Sequence, residues 1–138
     1  EFIALRLMTC IAQNFHAHRP PVPLQQIATE LGIPSRLVQQ VLQPLLAARL
    51  VTEVAGSDPA YVPARPLETI SSYDVLHAIR TGSGQELALR DGPVRAEVYG
   101  EFARIEEAER TAASSLTMLA LVNRAQVRLE LEAPKTGK

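Results

Sequence analysis

The stretch Leu24-Gln-Gln-Ile-Ala-Thr-Glu-Leu-Gly-Ile-Pro-Ser-Arg-Leu-Val38 constrains the fold more than any other part of this 138-residue chain. Leu24, Ile27, Ala28 and Leu31 recur at three- and four-residue steps, so they share one face of a short helix. Gly32 stops that helix by supplying a left-handed residue. Pro34 or Ser35 opens the next helix, with Leu37, Val38, Val41, Leu42, Leu45 and Leu46 predicted as its buried face. Ala28 is small enough to let the two helices cross closely, and Val38 packs back against the first of them. Pro44 sits well inside the second helix, frees the Gln40 carbonyl and costs about 3 kcal/mol or more if the helix stays straight. A kink near Gln40 or an early helix end is therefore expected. Arg49 stands where the helix gives way to a strand, a place that favours Gly by about 1 kcal/mol.

The flanking segments supply the other elements. Phe2, Leu5, Met8, Ile11, Ala12 and Phe15 follow helical steps and predict a preceding helix with those residues inward. Three prolines within His16-Ala-His-Arg-Pro-Pro-Val-Pro23 break it. Residues 50–54 and 60–64 read as two short strands around the turn-rich Ala55-Gly-Ser-Asp-Pro59, hence a β-hairpin, with Pro63 confining the second strand to an edge. Ser71 and Asp74 form a capping-box signal for a helix with Val75, Leu76 and Ile79 inward. Pro93 opens a long helix carrying Val94, Val98, Phe102, Ile105 and Ala112 on one stripe. Ser114-Ser-Leu-Thr117 interrupts it and recaps a short helix through about Arg124, and 134–138 is a tail.

Helix, helix, turn, helix, hairpin is the order of a winged helix-turn-helix. The predicted class is mainly α with a small β-hairpin: a winged helix-turn-helix over 1–80, a linker over 81–93, a C-terminal helical extension over 94–133 and the tail. No apolar run approaches the roughly 18 residues needed to span a bilayer. The chain begins at Glu1 with a helical pattern starting at once, which reads as a piece of a longer protein or a processed chain.

The segment Ala60-Tyr-Val-Pro-Ala-Arg-Pro-Leu-Glu-Thr-Ile-Ser-Ser-Tyr-Asp-Val-Leu-His-Ala-Ile79 resembles the wing strand and next helix of two related groups. One is the IscR/NsrR group of redox-sensing bacterial repressors. The other is the cytoplasmic C-terminal domain of the YihY/BrkB inner-membrane proteins, long labelled ribonuclease BN. The resemblance covers about residues 3–80 and extends more weakly over 94–124, through Leu116-Thr-Met-Leu-Ala-Leu121. Cluster-bearing repressors ligate iron–sulfur with cysteines that would fall between about 80 and 95; this chain has one Cys, Cys10, on the first helix. They also carry Gly-Gly before the wing Tyr, where Asp58-Pro59-Ala60 stands here. The Tyr-x-Pro-Ala-Arg form, the Arg-Pro-Pro run and the missing Met look more like the membrane-protein tail. That resemblance implies a non-enzymatic regulatory or interaction domain on the cytoplasmic side of a bacterial inner membrane. Its partner would be the membrane-embedded part of its parent chain or another protein. The alternative is a dimeric, clusterless, cytoplasmic DNA-binding regulator of the IscR/NsrR type.

The candidate site residues follow from surface pattern. Arg36, Gln39, Gln40 and Gln43 share the outward face of the third helix, with Ser35 at its start. Arg and Gln are the side chains that read guanine and adenine edges in the major groove. Ser57 lies in the wing. Charge argues the other way: residues 1–80 hold six Arg and six acidic residues, and the wing loop carries Asp58 and no base. DNA binding needs several phosphate contacts, mostly from Lys and Arg. These residues are thus candidates for contacting DNA or a protein partner. Val94, Val98, Tyr99, Phe102 and Ile105 are candidates for a dimer helix, packing on the body of the domain being the alternative. His16 and His18, two apart at a helix end, cannot both face one ion on a regular helix, so no metal site is assigned. There is no phosphate loop, His-Glu-x-x-His pattern or nucleophile elbow, and no cofactor or catalytic residue is assigned.

Overall fold

The structure is a computed structural model, described over residues 1–82 and 92–134. Its elements are α1 (Phe2–His16), β1 (Val22–Pro23), α2 (Leu24–Leu31), α3 (Ser35–Ala47), β2 (Val51–Val54), β3 (Ala60–Pro63), a 3-10 turn (Leu67–Thr69), α4 (Ser72–Gly82), α5 (Pro93–Ser114) and α6 (Met118–Glu132). The fold is mainly helical with a small antiparallel sheet, the winged helix-turn-helix expected, followed by two further helices. The linker expected over 81–93 lies outside the described residues, except that α4 runs on to Gly82 and α5 begins at Pro93. Most of the expected tail, 135–138, lies outside them too.

α1 is the central post. Leu7, Met8 and Ile11 have no exposed surface, and they meet Ile27 of α2, Val38, Leu42 and Leu45 of α3, Val75 of α4, and Met118 and Val122 of α6 in one core. The buried face of α1 differs from the one expected. It runs through Ala4, Leu7, Met8, Ile11 and Ala12, while Phe2 and Phe15 are 76% and 50% exposed. The reason lies in the sequence of α1: apolar side chains occupy nearly every side of it, so two overlapping stripes satisfy the helical period. Only the packing of α2, α3, α4 and α6 around it selects between them.

Three helices end in the same way. At Gly32 (φ 65°) the N–H of Ile33 donates to the Ala28 carbonyl at 3.1 Å and that of Gly32 to Thr29 at 3.3 Å. The same pair of bonds closes α3 around Arg49 (φ 58°) and α1 around His18 (φ 56°). This is the Schellman arrangement, which satisfies carbonyls left over at a helix end. The left-handed position foreseen at Arg49 is present, occupied by a residue with a Cβ, which costs of order 1 kcal/mol.

α3 does not end early at Pro44; it continues to Ala47. The proline lies in the last turn, and the residue whose carbonyl it leaves unpaired, Gln40, is exposed to water. The ring also has a close neighbour. A Cβ placed on Gly82 would lie 2.5 Å from Pro44 Cβ, so α3 and α4 approach here only because residue 82 lacks a side chain. Gly82→Ala is therefore expected to destabilise the protein by about 1–3 kcal/mol through overpacking. A thermal melt checks this: Tm should fall by several degrees, and an unchanged Tm would show that the contact opens without cost.

The sheet holds a strand that the sequence pattern does not show. β1 pairs with β3 through Val22 and Pro23 opposite Tyr61 and Ala60, so the order is β1-β3-β2 and β3 is central rather than an edge. Pro63 is tolerated because β1 reaches only Ala60 and Tyr61, while Pro63 pairs with Val51 of β2 alone. The capping box is as expected: the Asp74 N–H donates to Ser71 Oγ at 3.1 Å, and the Ser71 N–H to Asp74 Oδ2 at 2.9 Å.

The turn between α5 and α6 is stitched to this cap. The Ser72 N–H donates to the Leu116 carbonyl at 2.8 Å, and the Met118 N–H to that of Ile70 at 2.7 Å. Thr117 caps α6 by accepting the Ala120 N–H at 3.1 Å. The recapping is as expected, but α6 runs to Glu132, past the end foreseen near Arg124. Its body-facing row, Met118 and Val122, continues to Leu129, which is 56% exposed and beyond the reach of the core.

Candidate nucleic-acid interface

α3 lies with Val38, Leu42 and Leu45 in the core, and the helical period therefore turns Arg36, Gln39, Gln40 and Gln43 outward. All four are exposed and line one shallow depression, with Leu42 and Tyr61 completing it. Tyr61 is the residue that sequence reasoning missed here. It comes from the neighbouring β3, is 6% exposed, and burial, followed by the Glu53 carboxylate, pushes its phenol above the usual value. The alternation of β3 was the available signal, since it places Tyr61 and Pro63 on the buried face.

Ser35 is set apart by its bonding. Its hydroxyl donates to Gln25 Oε1 at 3.2 Å, tying the start of α3 to α2. Ser57 is exposed in the β2–β3 loop and outside the depression on α3. The site thus offers amide groups able to donate and accept, one tyrosine and one guanidinium. Arg36 is the single cation among the lining residues. Such a surface can read hydrogen-bonding edges, while its phosphate-binding capacity is small.

The second candidate surface is α5. None of its residues is buried, and Val94, Val98, Tyr99, Phe102 and Ile105 are 54–74% exposed. Arg95 stacks over the Tyr99 ring, 5.1 Å from its centroid. Among the described residues, packing on the body, the alternative for this stripe, does not occur. The other end of α5 is anchored instead. Arg80 of α4 is hydrogen-bonded to Glu109 and Glu1, and holds both carboxyls below the usual carboxylate range. Arg110 donates to the Tyr73 hydroxyl at 3.2 Å and lies over that ring, which stacks on His77.

Cys10 points into the helix-turn-helix, where its thiol donates to Glu30 Oε2 at 2.9 Å. Burial first, and then this bond to a carboxylate, push the thiol up to about 12. It is a protonated packing group, not a nucleophile. No three His, Cys, Asp or Glu side chains are grouped to hold a metal among the described residues. No helix among them is long and apolar enough to cross a membrane.

A helix-turn-helix with an outward polar face, a three-stranded wing and a long helix that no described residue covers define a winged-helix fold with a helical extension. Residues 2–124 match the family profile Rrf2, described as iron-dependent transcriptional regulator. The chain belongs to the Rrf2 family, whose members are transcription regulators and not enzymes. Among solved structures it is similar to T. potens IscR, at 22% identity over 98% of this chain and 87% of that one, with a TM-score of 0.65. It is also similar to CymR (YrzC), the global cysteine regulator of B. subtilis, at 23% identity over 88% and 91% of the two chains, TM-score 0.65. Staphylococcus aureus CymR in its oxidized form matches at 24% identity over 87% and 90%, TM-score 0.64. At these identities the structures establish the fold. No curated protein matches the chain by sequence.

The family match corrects the reading of the chain as a YihY/BrkB membrane-protein tail; it supports the resemblance to the IscR/NsrR group. The features that favoured the tail, the proline run before α2 and the Tyr-x-Pro-Ala-Arg strand, are explained by local folding. The proline run leads directly into β1, and Tyr61, Val62 and Pro63 of the motif belong to β3.

Membership of an iron-dependent family implies an iron–sulfur cluster as the candidate cofactor. Such clusters are held mainly by several thiolates. This chain has one Cys, hydrogen-bonded inside the α1–α2 packing and hard to ionise, and residues 83–91 contain no Cys or His. The donor set does not fit a cysteine-ligated cluster.

Proposed function

We propose that this protein is a clusterless Rrf2-type regulator that binds DNA as a homodimer, working in the bacterial cytoplasm. α3 enters the major groove with Arg36, Gln39, Gln40 and Gln43 toward the base edges. Ser35 sits where the helix meets the backbone, and the wing loop with Ser57 lies near the adjacent minor groove. The observation that carries this reading is the exposed row of one Arg and three Gln on the helix whose opposite face is locked in the core. Family membership supports it. The near-neutral charge of residues 1–80 implies that base contacts outweigh phosphate contacts, so the salt dependence should be shallow for a DNA-binding protein.

Selection from a random duplex library at low and moderate salt tests the proposal. A common, two-fold symmetric site is expected, as a symmetric dimer requires. Arg36→Ala should weaken binding to it by about 1–3 kcal/mol, mostly at one base position of each half-site. No selected sequence, together with no loss on Arg36→Ala, would overturn it.

A further inference from the structure

A groove of about 810 Å³ opens where the end of α1, the loop after it, the end of β3, the 3-10 turn and the start of α6 converge. It shares no lining residue with the depression on α3. Its volume falls within the usual range of small-molecule sites. The apolar part of the lining is Leu67, 4% exposed, Pro63, buried, Leu119, half-buried, and Phe15, half-exposed.

The rim is basic. His16, His18 and Arg19 come from the end of α1 and the loop after it and Arg65 from the segment after β3, with Glu68 the single carboxylate among the lining residues. Arg19 makes no side-chain hydrogen bond or close ion pair with any described residue, the Glu30 carboxylate acting on it only at longer range. Arg65 has Asp74 at 3.7 Å and keeps donors to spare. The left-handed His18 turns the chain so that Arg19 follows directly onto this rim. Two guanidinium groups flanking an exposed ring and an apolar floor suit one ligand chemistry. The arginines bind a carboxylate, sulfonate or phosphate oxygen pair, and the floor takes an apolar body.

We propose that this groove binds an amphipathic organic anion: an acidic group held by Arg19 and Arg65, and an aromatic or aliphatic body laid against Phe15, Leu67 and Leu119. The ligand would touch α1 and β3 of the winged helix and α6 of the extension at once. The proposal stands whether or not α3 reads DNA.

The test titrates the full chain with 8-anilinonaphthalene-1-sulfonate and, separately, with its uncharged counterpart N-phenyl-1-naphthylamine, and follows backbone amides by NMR. The sulfonate should bind saturably at one site and shift the amides of 15–19, 64–68 and 119. Arg19→Ala with Arg65→Ala should raise its Kd about tenfold or more, leave the Kd of the uncharged dye within about twofold, and keep the wild-type thermal melt. Arg19→Ala alone, which removes no ion pair, should give part of that loss. Non-saturating binding, shifts confined to 94–105 of α5, or equal effects of the substitutions on both dyes would overturn the proposal.

Discussion

Leu42→Ala should cost about 2–5 kcal/mol of stability, the largest loss expected from any single side chain under the α3 surface. Leu42 is 1% exposed and lies between Val38 and Leu45, which have no exposed surface at all. The neighbours are held by α1 and α2 and cannot all move inward, so truncation leaves a cavity as well as losing apolar burial. Against a total of about 5–15 kcal/mol for a domain, this is a large fraction. Chemical denaturation measures it: the midpoint should fall with an unchanged slope. Gln39→Ala, on the opposite face of the same helix, should stay within about 0.5 kcal/mol of wild type. Equal effects of the two substitutions would contradict the orientation of α3, and with it the outward row of Arg36, Gln39, Gln40 and Gln43.

Phe102→Glu should convert the protein from dimer to monomer. α5 carries five exposed apolar or aromatic side chains at helical spacing and buries none of its residues against the other described ones. A two-fold interface uses the same patch from both copies, so one substitution brings two carboxylates into it, each desolvated and near its twin. The dimer Kd is expected to rise at least ~100-fold, equivalent to about 2.7 kcal/mol. Sedimentation at tens of micromolar would then show monomer for Phe102→Glu and dimer for wild type. The melt of the variant should lose its dependence on protein concentration, and binding to a symmetric site should weaken with it. A wild-type chain that sediments as a monomer at the same concentration would sink the dimer reading. So would a variant that keeps the wild-type mass.

Both predictions use sequence information of unequal reach. The helix-turn-helix was legible because its signals are local: Gly32 at the left-handed position, Pro34 before a helix, and apolar residues at fixed steps on either side. The Ser71–Asp74 capping box was legible for the same reason, as its two bonds span three residues. The outward row on α3 followed from periodicity alone. Tyr61 did not, since it reaches that row from another element through strand register.

β1 was invisible because two residues beside prolines carry no period; it exists only as a partner for Ala60 and Tyr61. The family itself showed a limit of local reading. The wing motifs are common to proteins of different function, and the whole-chain match over 2–124 was needed to separate them.

What the amino-acid sequence determined by itself is the order of elements, their caps and turns, the polar face of α3, and the lack of thiols for a cluster. These rest on interactions within a few residues, or on composition. Tertiary structure alone decided which stripe of α1 is buried, that no described residue covers the apolar side of α5, and that Phe15, Arg19 and Arg65 share one groove. An apolar residue can satisfy the helical period on several faces. Burial is settled only when other helices arrive, and a shared site arises only where distant segments meet.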